Sequence, residues 1–297
     1  MINVLVTGGQ GQLASCIKDV EVEYDNLNII YTDSEALNIC NVSQVQSFFK
    51  SYDIDYCINC AAYTAVDKAE EEKELAFKVN AEGPKNLALA CKEHNVVLIH
   101  ISTDFVFDGT NREPYTEEDK TNPISVYGAS KLQGEIEIQN ILEEHFIIRT
   151  SWLYSEYGYN FMKTMLRLYF DLSTSSRQAK LSTTTDGEIS VVSDQIGTPT
   201  YAGDLAMVIL EIINRGSKAY GLYHYSHEGA ISWYDFAKAI FEFSNILINV
   251  NPISTAAYPR AAKRPPYSVL NKAKIRKTFN VTIPDWHIRL KQILEGL

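Results

Sequence analysis

The chain has 297 residues, 45% hydrophobic and 22% charged, a balance that excludes wholesale disorder and suits one large domain or two lobes sharing a cleft. Its formal net charge of −10 repels polyphosphate and anionic lipid, so neither nucleic acid nor a membrane is expected as a partner, and an anionic ligand would need local devices such as helix N-termini. No apolar stretch approaches the ~20 residues of a membrane span, the first residues read as a strand and not as a charged leader, and five cysteines make no disulfide framework, which together predict a cytoplasmic protein.

In chain order, the apolar, β-rich runs NVLVTG, LNIIYTD, DYCINCA, VVLIHISTD and HFIIRTSWLY alternate with longer segments of helical spacing. That alternation predicts βαβ units and an α/β fold built on a doubly wound parallel sheet of the Rossmann type over residues 1–150. Beyond Tyr154 a helix-like NFMKTMLRLYF, a strand-like ISVVSDQ and a helix-like GDLAMVILEIINR predict a smaller C-terminal substrate lobe within 151–297, with a segment of about 189–215 returning to the first domain. Residues 173–185, STSSRQAKLSTTT, carry too little apolar surface to offset ordering entropy and read as a mobile surface loop.

The first turn, TGGQGQLA, places Gly8, Gly11 and Ala14 between a strand and the helix that opens a βαβ unit. There the absent Cβ atoms let backbone approach a pyrophosphate at a helix N-terminus, the signature of a dinucleotide site. Asp33 closes the second strand, where a carboxylate would bind ribose hydroxyls and repel a 2′-phosphate, or would serve only as a turn cap. Cys57 and Cys60, three apart on one strand, point to opposite faces and read as small core residues. The six histidines show no ligand spacing, so no metal is assigned.

The fourth strand runs into Ser102, Thr103 and Asp104, and Tyr127 and Lys131 follow at the i, i+4 spacing of one helix face. A carbonyl receiving hydride develops charge on oxygen, which the Thr103 hydroxyl can stabilise and Tyr127 can neutralise, while Lys131 would lower the tyrosine pKa. A YxxxK alone is common on helix surfaces; the glycine turn, the STD strand end and Pro123 give it context. Asp67, Lys68 and Glu70 read as a charged helix face.

With VTGGQGQLA, INCAAYTAVDKAE, ISTDFVFDG, PISVYGASKLQGE, RTSWLY, SDQIGTPT and KRPPYSVLN in view, the chain resembles the dTDP-4-dehydrorhamnose reductases, extended short-chain dehydrogenases/reductases, over nearly its whole length. The resemblance implies NADPH- or NADH-dependent reduction of the C4 ketone of the nucleotide sugar dTDP-4-dehydro-L-rhamnose to dTDP-L-rhamnose. It implies Thr103, Tyr127 and Lys131 as catalytic residues, with Gly8, Gly11, Gln12, Leu13, Asp33, Ala61, Ala62, Tyr63 and again Tyr127 and Lys131 beside the cofactor. Thr64, Ser102 and Trp152 fall at the sugar pocket, and Asn160 and Arg264 are implied as further contacts in the substrate lobe, with Arg264 meeting the diphosphate through its planar fork.

The pattern is departed from at Phe105, where a tyrosine is common, at Asn38, at Ala14 and in the length of 173–185. Ser15 and Cys16 stand where some members place a metal-bridging carboxylate, so the oligomeric state is left open. Two other functions share the fold: an epimerase or dehydratase, which would keep its cofactor through the cycle or need a second acid beside Asp104, and a non-catalytic regulatory subunit, against which the intact Thr103, Tyr127 and Lys131 speak.

Overall fold

A computed structural model describes residues 1–174, 184–185 and 188–296; the loop expected over 173–185 falls mostly outside them. The first half runs β1 (Ile2–Thr7), α1 (Gln12–Val20), β2 (Leu27–Thr32), α2 (Val42–Ser51), β3 (Tyr56–Asn59), α3 (Lys73–Phe77), α4 (Gly83–His94), β4 (Val97–Thr103), α5 (Val126–Ile141) and β5 (His145–Thr150). The second continues with β6 (Leu153–Tyr154), α6 (Phe161–Thr174), β7 (Thr184–Thr185), β8 (Glu188–Val192), β9 (Ile196–Gly197), β10 (Thr200–Tyr201) and α7 (Ala202–Asn214). It ends with β11 (Gly221–His224), β12 (Ile231–Ser232), α8 (Trp233–Phe243), β13 (Asn249–Ile253), α9 (Ala273–Phe279) and α10 (Trp286–Glu295).

The expected doubly wound sheet is present: six parallel strands in the order β11-β5-β4-β3-β1-β2. Side chains alternate across it. Val4, Val6, Ile58, Ile99, Phe146 and Ile148 meet α1 and α7 on one face. Leu5, Cys57, Leu98 and Ile147 meet α2, α4 and α5 on the other. Burial on both faces explains why these strands read as continuous apolar runs. It also separates Cys57, inside one core, from Cys60, packed against the other.

Within 189–215, α7 packs on α1, whereas β8 pairs with β13 in the smaller lobe. The sixth strand, β11, lies beyond it and pairs with β5. The smaller lobe has its own core of Tyr154, Met162, Phe236, Ile240 and Leu290, drawn from β6, α6, α8 and α10. Among the described residues no helix is long and apolar enough to cross a membrane.

Candidate active site

The carboxyl ends of β1 and β2 form a cradle. Gly8 has φ +68, and a Cβ there would stand 2.7 Å from the Ala61 amide nitrogen, so only glycine fits. Its turn is closed by Gly9 N–H to the Thr32 carbonyl (2.8 Å) and Gly11 N–H to the Gly8 carbonyl (2.9 Å). Gly11 is the N-cap of α1, with no side-chain cap and no acidic residue in the first turn. The amides of Gln12 and Leu13 therefore face outward uncapped, and a Cβ on Gly11 would meet only the Gly8 carbonyl at 3.1 Å. A cradle that a side chain would fill, at an uncapped helix N-terminus, fits the pyrophosphate of a dinucleotide. Ala14 is fully buried under it.

Asp33 stands beside this cradle as both readings anticipated. Its Oδ1 accepts the N–H groups of Glu35 and Ala36, and its Oδ2 accepts from Gln10 Nε2 at 2.7 Å. Those bonds, with Ala36 foremost, hold its carboxyl below the usual range. Ala61, Ala62 and Tyr63 follow β3 along the same edge, where Asn80 fixes Tyr63 by accepting its N–H (2.8 Å) and donating to its carbonyl (3.0 Å). Thr64 is exposed at the end of this run.

Thr103 ends β4 and Tyr127 is the second residue of α5. The Thr103 hydroxyl and the Asp104 carboxylate are the polar neighbours that act on the half-buried Tyr127 phenol, so the end of β4 and the head of α5 come together here. Burial pushes the phenol up to about 12, the Thr103 hydroxyl opposing and the Asp104 carboxylate adding to it. Phe105 packs edge-on against the Tyr127 ring, with centroids 5.6 Å apart. Asp104 is buried, accepts from the Thr103 hydroxyl at 3.1 Å, and is lifted by burial to about 6.

The start of α5 is tightly fixed. Ser125 Oγ accepts the Gly128 N–H (3.1 Å), Glu70 accepts the Val126 N–H (2.8 Å), and Gly128 presses on the Phe105 carbonyl. Glu70 is thus a cap for α5 instead of part of a solvated charged face, because the turn Lys68–Glu70 folds onto that helix. Lys131, one turn on and 2% exposed, directs its ammonium to the Ile101 carbonyl at 2.7 Å and towards His100 Nε2 at 3.3 Å. Burial lowers it to about 8. The Tyr127 phenol itself stands above its ordinary value, with burial the largest influence.

Three residues expected to touch substrate are committed elsewhere. Ser102 donates its hydroxyl to Glu135 of α5, in a buried network in which Glu135 is also paired with Arg149 (2.7 Å). Asn160 caps α6 by accepting the Lys163 N–H and donates to the Ser155 carbonyl (2.7 Å) and Gln12 Oε1 (3.3 Å), bracing the smaller lobe against the glycine turn. Arg264 spends its fork on Asp67 (2.9 and 3.0 Å), so Asp67 too leaves the expected charged face. Trp152, at φ +46, lies flat on Trp233 with centroids 3.5 Å apart.

Trp233 and Arg264 border a cavity of about 610 Å³ in the smaller lobe, whose wall also carries Phe161, Arg167, Tyr258, Arg260 and Lys263. Four cations in one wall of a chain with net charge −10 make this the natural place for an anionic ligand. Neither Thr103 nor Tyr127 lines it. Glu135 and Arg149 went unnoticed in the sequence; their one signal was that Glu135 continues the 127, 131 helix face by a further four residues.

Comparison with known proteins agrees with this geometry. The family model described as the RmlD substrate binding domain matches residues 2–297. A dTDP-4-dehydrorhamnose reductase of Aggregatibacter actinomycetemcomitans is 40% identical, covering 99% of this chain and 98% of that protein. Among solved structures, a dTDP-4-dehydrorhamnose reductase from Clostridium acetobutylicum superposes with TM-score 0.91 at 42% identity, covering 99% of both chains. The corresponding Bacillus anthracis enzyme, solved in complex with NADP, gives 0.90 at 40% identity over all of both chains. A dTDP-glucose 4,6-dehydratase from Streptomyces venezuelae, 15% identical with TM-score 0.78, shares the fold alone. The chain belongs to the RmlD substrate binding domain family, that of the dTDP-4-dehydrorhamnose reductases.

Proposed function

We propose that the protein reduces the C4 ketone of dTDP-4-dehydro-L-rhamnose to dTDP-L-rhamnose with NADPH or NADH, and that it does so in the cytoplasm. The observation that carries this reading is the meeting of Tyr127 and Thr103 at the end of β4, one helical turn from Lys131. In this scheme Gly8, Gly11, Gln12 and Leu13 would hold the pyrophosphate, Asp33 the adenosine ribose, and Ala61, Ala62 and Tyr63 the adjoining edge of the dinucleotide. The reduced nicotinamide supplies the hydride.

The Thr103 hydroxyl orients the ketone oxygen, and Tyr127 releases its phenolic proton to that oxygen as charge develops. A phenol raised to about 12 is protonated at neutral pH, as a proton donor must be. In the structure the Thr103 hydroxyl donates to Asp104, so it must turn from the carboxylate to reach the ketone oxygen. Arg167, Arg260 and Lys263 offer the diphosphate a positive wall, and Trp233, on which Trp152 stacks, a flat apolar one. Arg264 can join only by leaving Asp67. Mixing the protein with dTDP-4-dehydrorhamnose and each reduced nicotinamide tests this: stoichiometric loss of the near-ultraviolet absorbance is expected. Conversion of a nucleotide sugar without net cofactor oxidation would instead identify an epimerase.

A further inference from the structure

The sheet interior carries a row of buried polar groups that the reaction centre does not account for. Thr7, Asn59 and His100 stand side by side on β1, β3 and β4, each at most 1% exposed, and the row ends at Lys131. Polar groups at such depth are costly unless their hydrogen bonds close, so donors and acceptors can be assigned. The fixed point is the Ala61 backbone N–H, which can only donate; it lies 3.2 Å from Asn59 Oδ1, which also takes the Thr7 hydroxyl at 2.7 Å. The Asn59 amide nitrogen therefore faces His100 Nδ1, at 3.0 Å, and that ring nitrogen must accept. Burial, with Lys131 and His145 acting the same way, keeps His100 neutral, so its single proton sits on Nε2, facing the Lys131 amine at 3.3 Å. An ammonium there would set two donors against each other; an uncharged amine presents a lone pair.

We infer that His100 is a positioning residue for Lys131: held in its Nε2–H tautomer through Ala61 and Asn59, it points a donor at the lysine amine and favours the uncharged, proton-accepting form of that amine. This rests on the reading of Lys131 as part of the reaction centre. The groups facing the pair are Glu135 on α5, Cys60 after β3 and His145 on β5; Glu135 and Cys60 raise the lysine, while burial, the larger influence, lowers it to about 8. Lys131 thereby becomes a cation whose charge depends on pH near neutrality, not a permanent one.

The test reads the tautomer and the lysine directly. In the unmodified protein, ¹⁵N shifts of the His100 ring should show Nδ1 bare and Nε2 protonated, and the ¹³Cε signal of Lys131, assigned by its loss in Lys131→Arg, should titrate near 8. In His100→Gln, whose side-chain carbonyl can accept from the ammonium, that titration should rise by about one pH unit or more, a tenfold gain in proton affinity. The pH dependence of kcat/KM should move with it, whereas a merely structural role would lower kcat/KM equally at every pH. A protonated Nδ1, or a Lys131 titration unmoved by His100→Gln, overturns the inference. Should that variant not fold, the tautomer in the parent protein decides. Absence of reductase turnover would sink the functional reading while leaving these resonances to report on His100.

Discussion

Replacing Gly128 by alanine probes how the proposed proton donor is held. A Cβ at 128 would stand 2.2 Å from the Phe105 carbonyl oxygen, 3.0 Å from its carbonyl carbon and 3.1 Å from Pro123 Cβ. Ordinary contact begins at 3.4 Å, so α5 and the Asp104–Val106 turn must part by about 1.2 Å, the difference between 3.4 and 2.2. The obstacle is main chain, tied by Phe107 N–H to the Asp104 carbonyl at 3.1 Å, and cannot swing aside as a side chain would. Helix propensity alone favours alanine by ~1 kcal/mol. Overpacking against backbone costs ~1–3 kcal/mol, so the net effect is a loss of stability. Tyr127 is the adjoining residue, and misplacement of a reacting group by about 1 Å costs ~10²-fold in rate. We expect kcat to fall ~10²-fold while dinucleotide affinity, set by the glycine cradle, is largely kept. Steady-state kinetics, thermal unfolding and a fluorescence titration of NADPH measure the three effects. Parent-like kcat and Tm in Gly128→Ala would refute the claim that close helix approach fixes Tyr127.

The two cradle glycines should respond differently: Gly8→Ala meets backbone at 2.7 Å and a positive φ, so it should destabilise the fold, whereas Gly11→Val should fold normally and lose dinucleotide binding, and equal behaviour of the two would contradict the cradle. Asp104 has a folded pKa raised to about 6, above the unfolded ~3.9, so the folded state binds the extra proton and stability falls as pH rises through that interval. Denaturation of Asp104→Asn should therefore show it gaining on the parent between about pH 4 and pH 7, by up to ~2–3 kcal/mol; a gain in the opposite direction would mean the carboxyl is not held protonated by burial. Asp33→Ala should raise the ratio of NADPH to NADH efficiency about tenfold, because the carboxylate disfavours a 2′-phosphate; an unchanged ratio would leave Asp33 as the turn cap for Glu35 and Ala36 alone.

Much of the fold was legible because strands buried on both faces must be apolar throughout: β1 to β5 each coincide with an apolar run. Gly221–His224 escaped as a strand because four residues at a sheet edge carry no periodicity of their own. The proposed reaction centre rests on local spacing, since Tyr127 and Lys131 sit on one helix and Thr103 ends a strand. The partners of longer-range polar residues were not legible. Arg264 and Asp67 are 197 positions apart, and nothing local says that the fork is already taken. Asn160, four residues before Thr164 at the head of α6, serves a helix cap that any substrate contact would have to share. Glu135, Arg149 and His100 read as ordinary polar residues until the tertiary structure buries them and closes their hydrogen bonds.

The most direct trial of the proposed chemistry is turnover of dTDP-4-dehydrorhamnose by Tyr127→Phe, which keeps the ring that packs on Phe105 and removes only the phenolic proton. Turnover lower by ~10²–10⁴-fold, with NADPH affinity and folding preserved, is the expected result. Turnover close to that of the parent protein would show that Tyr127 donates no proton and that the reduction, if it occurs, runs through another group.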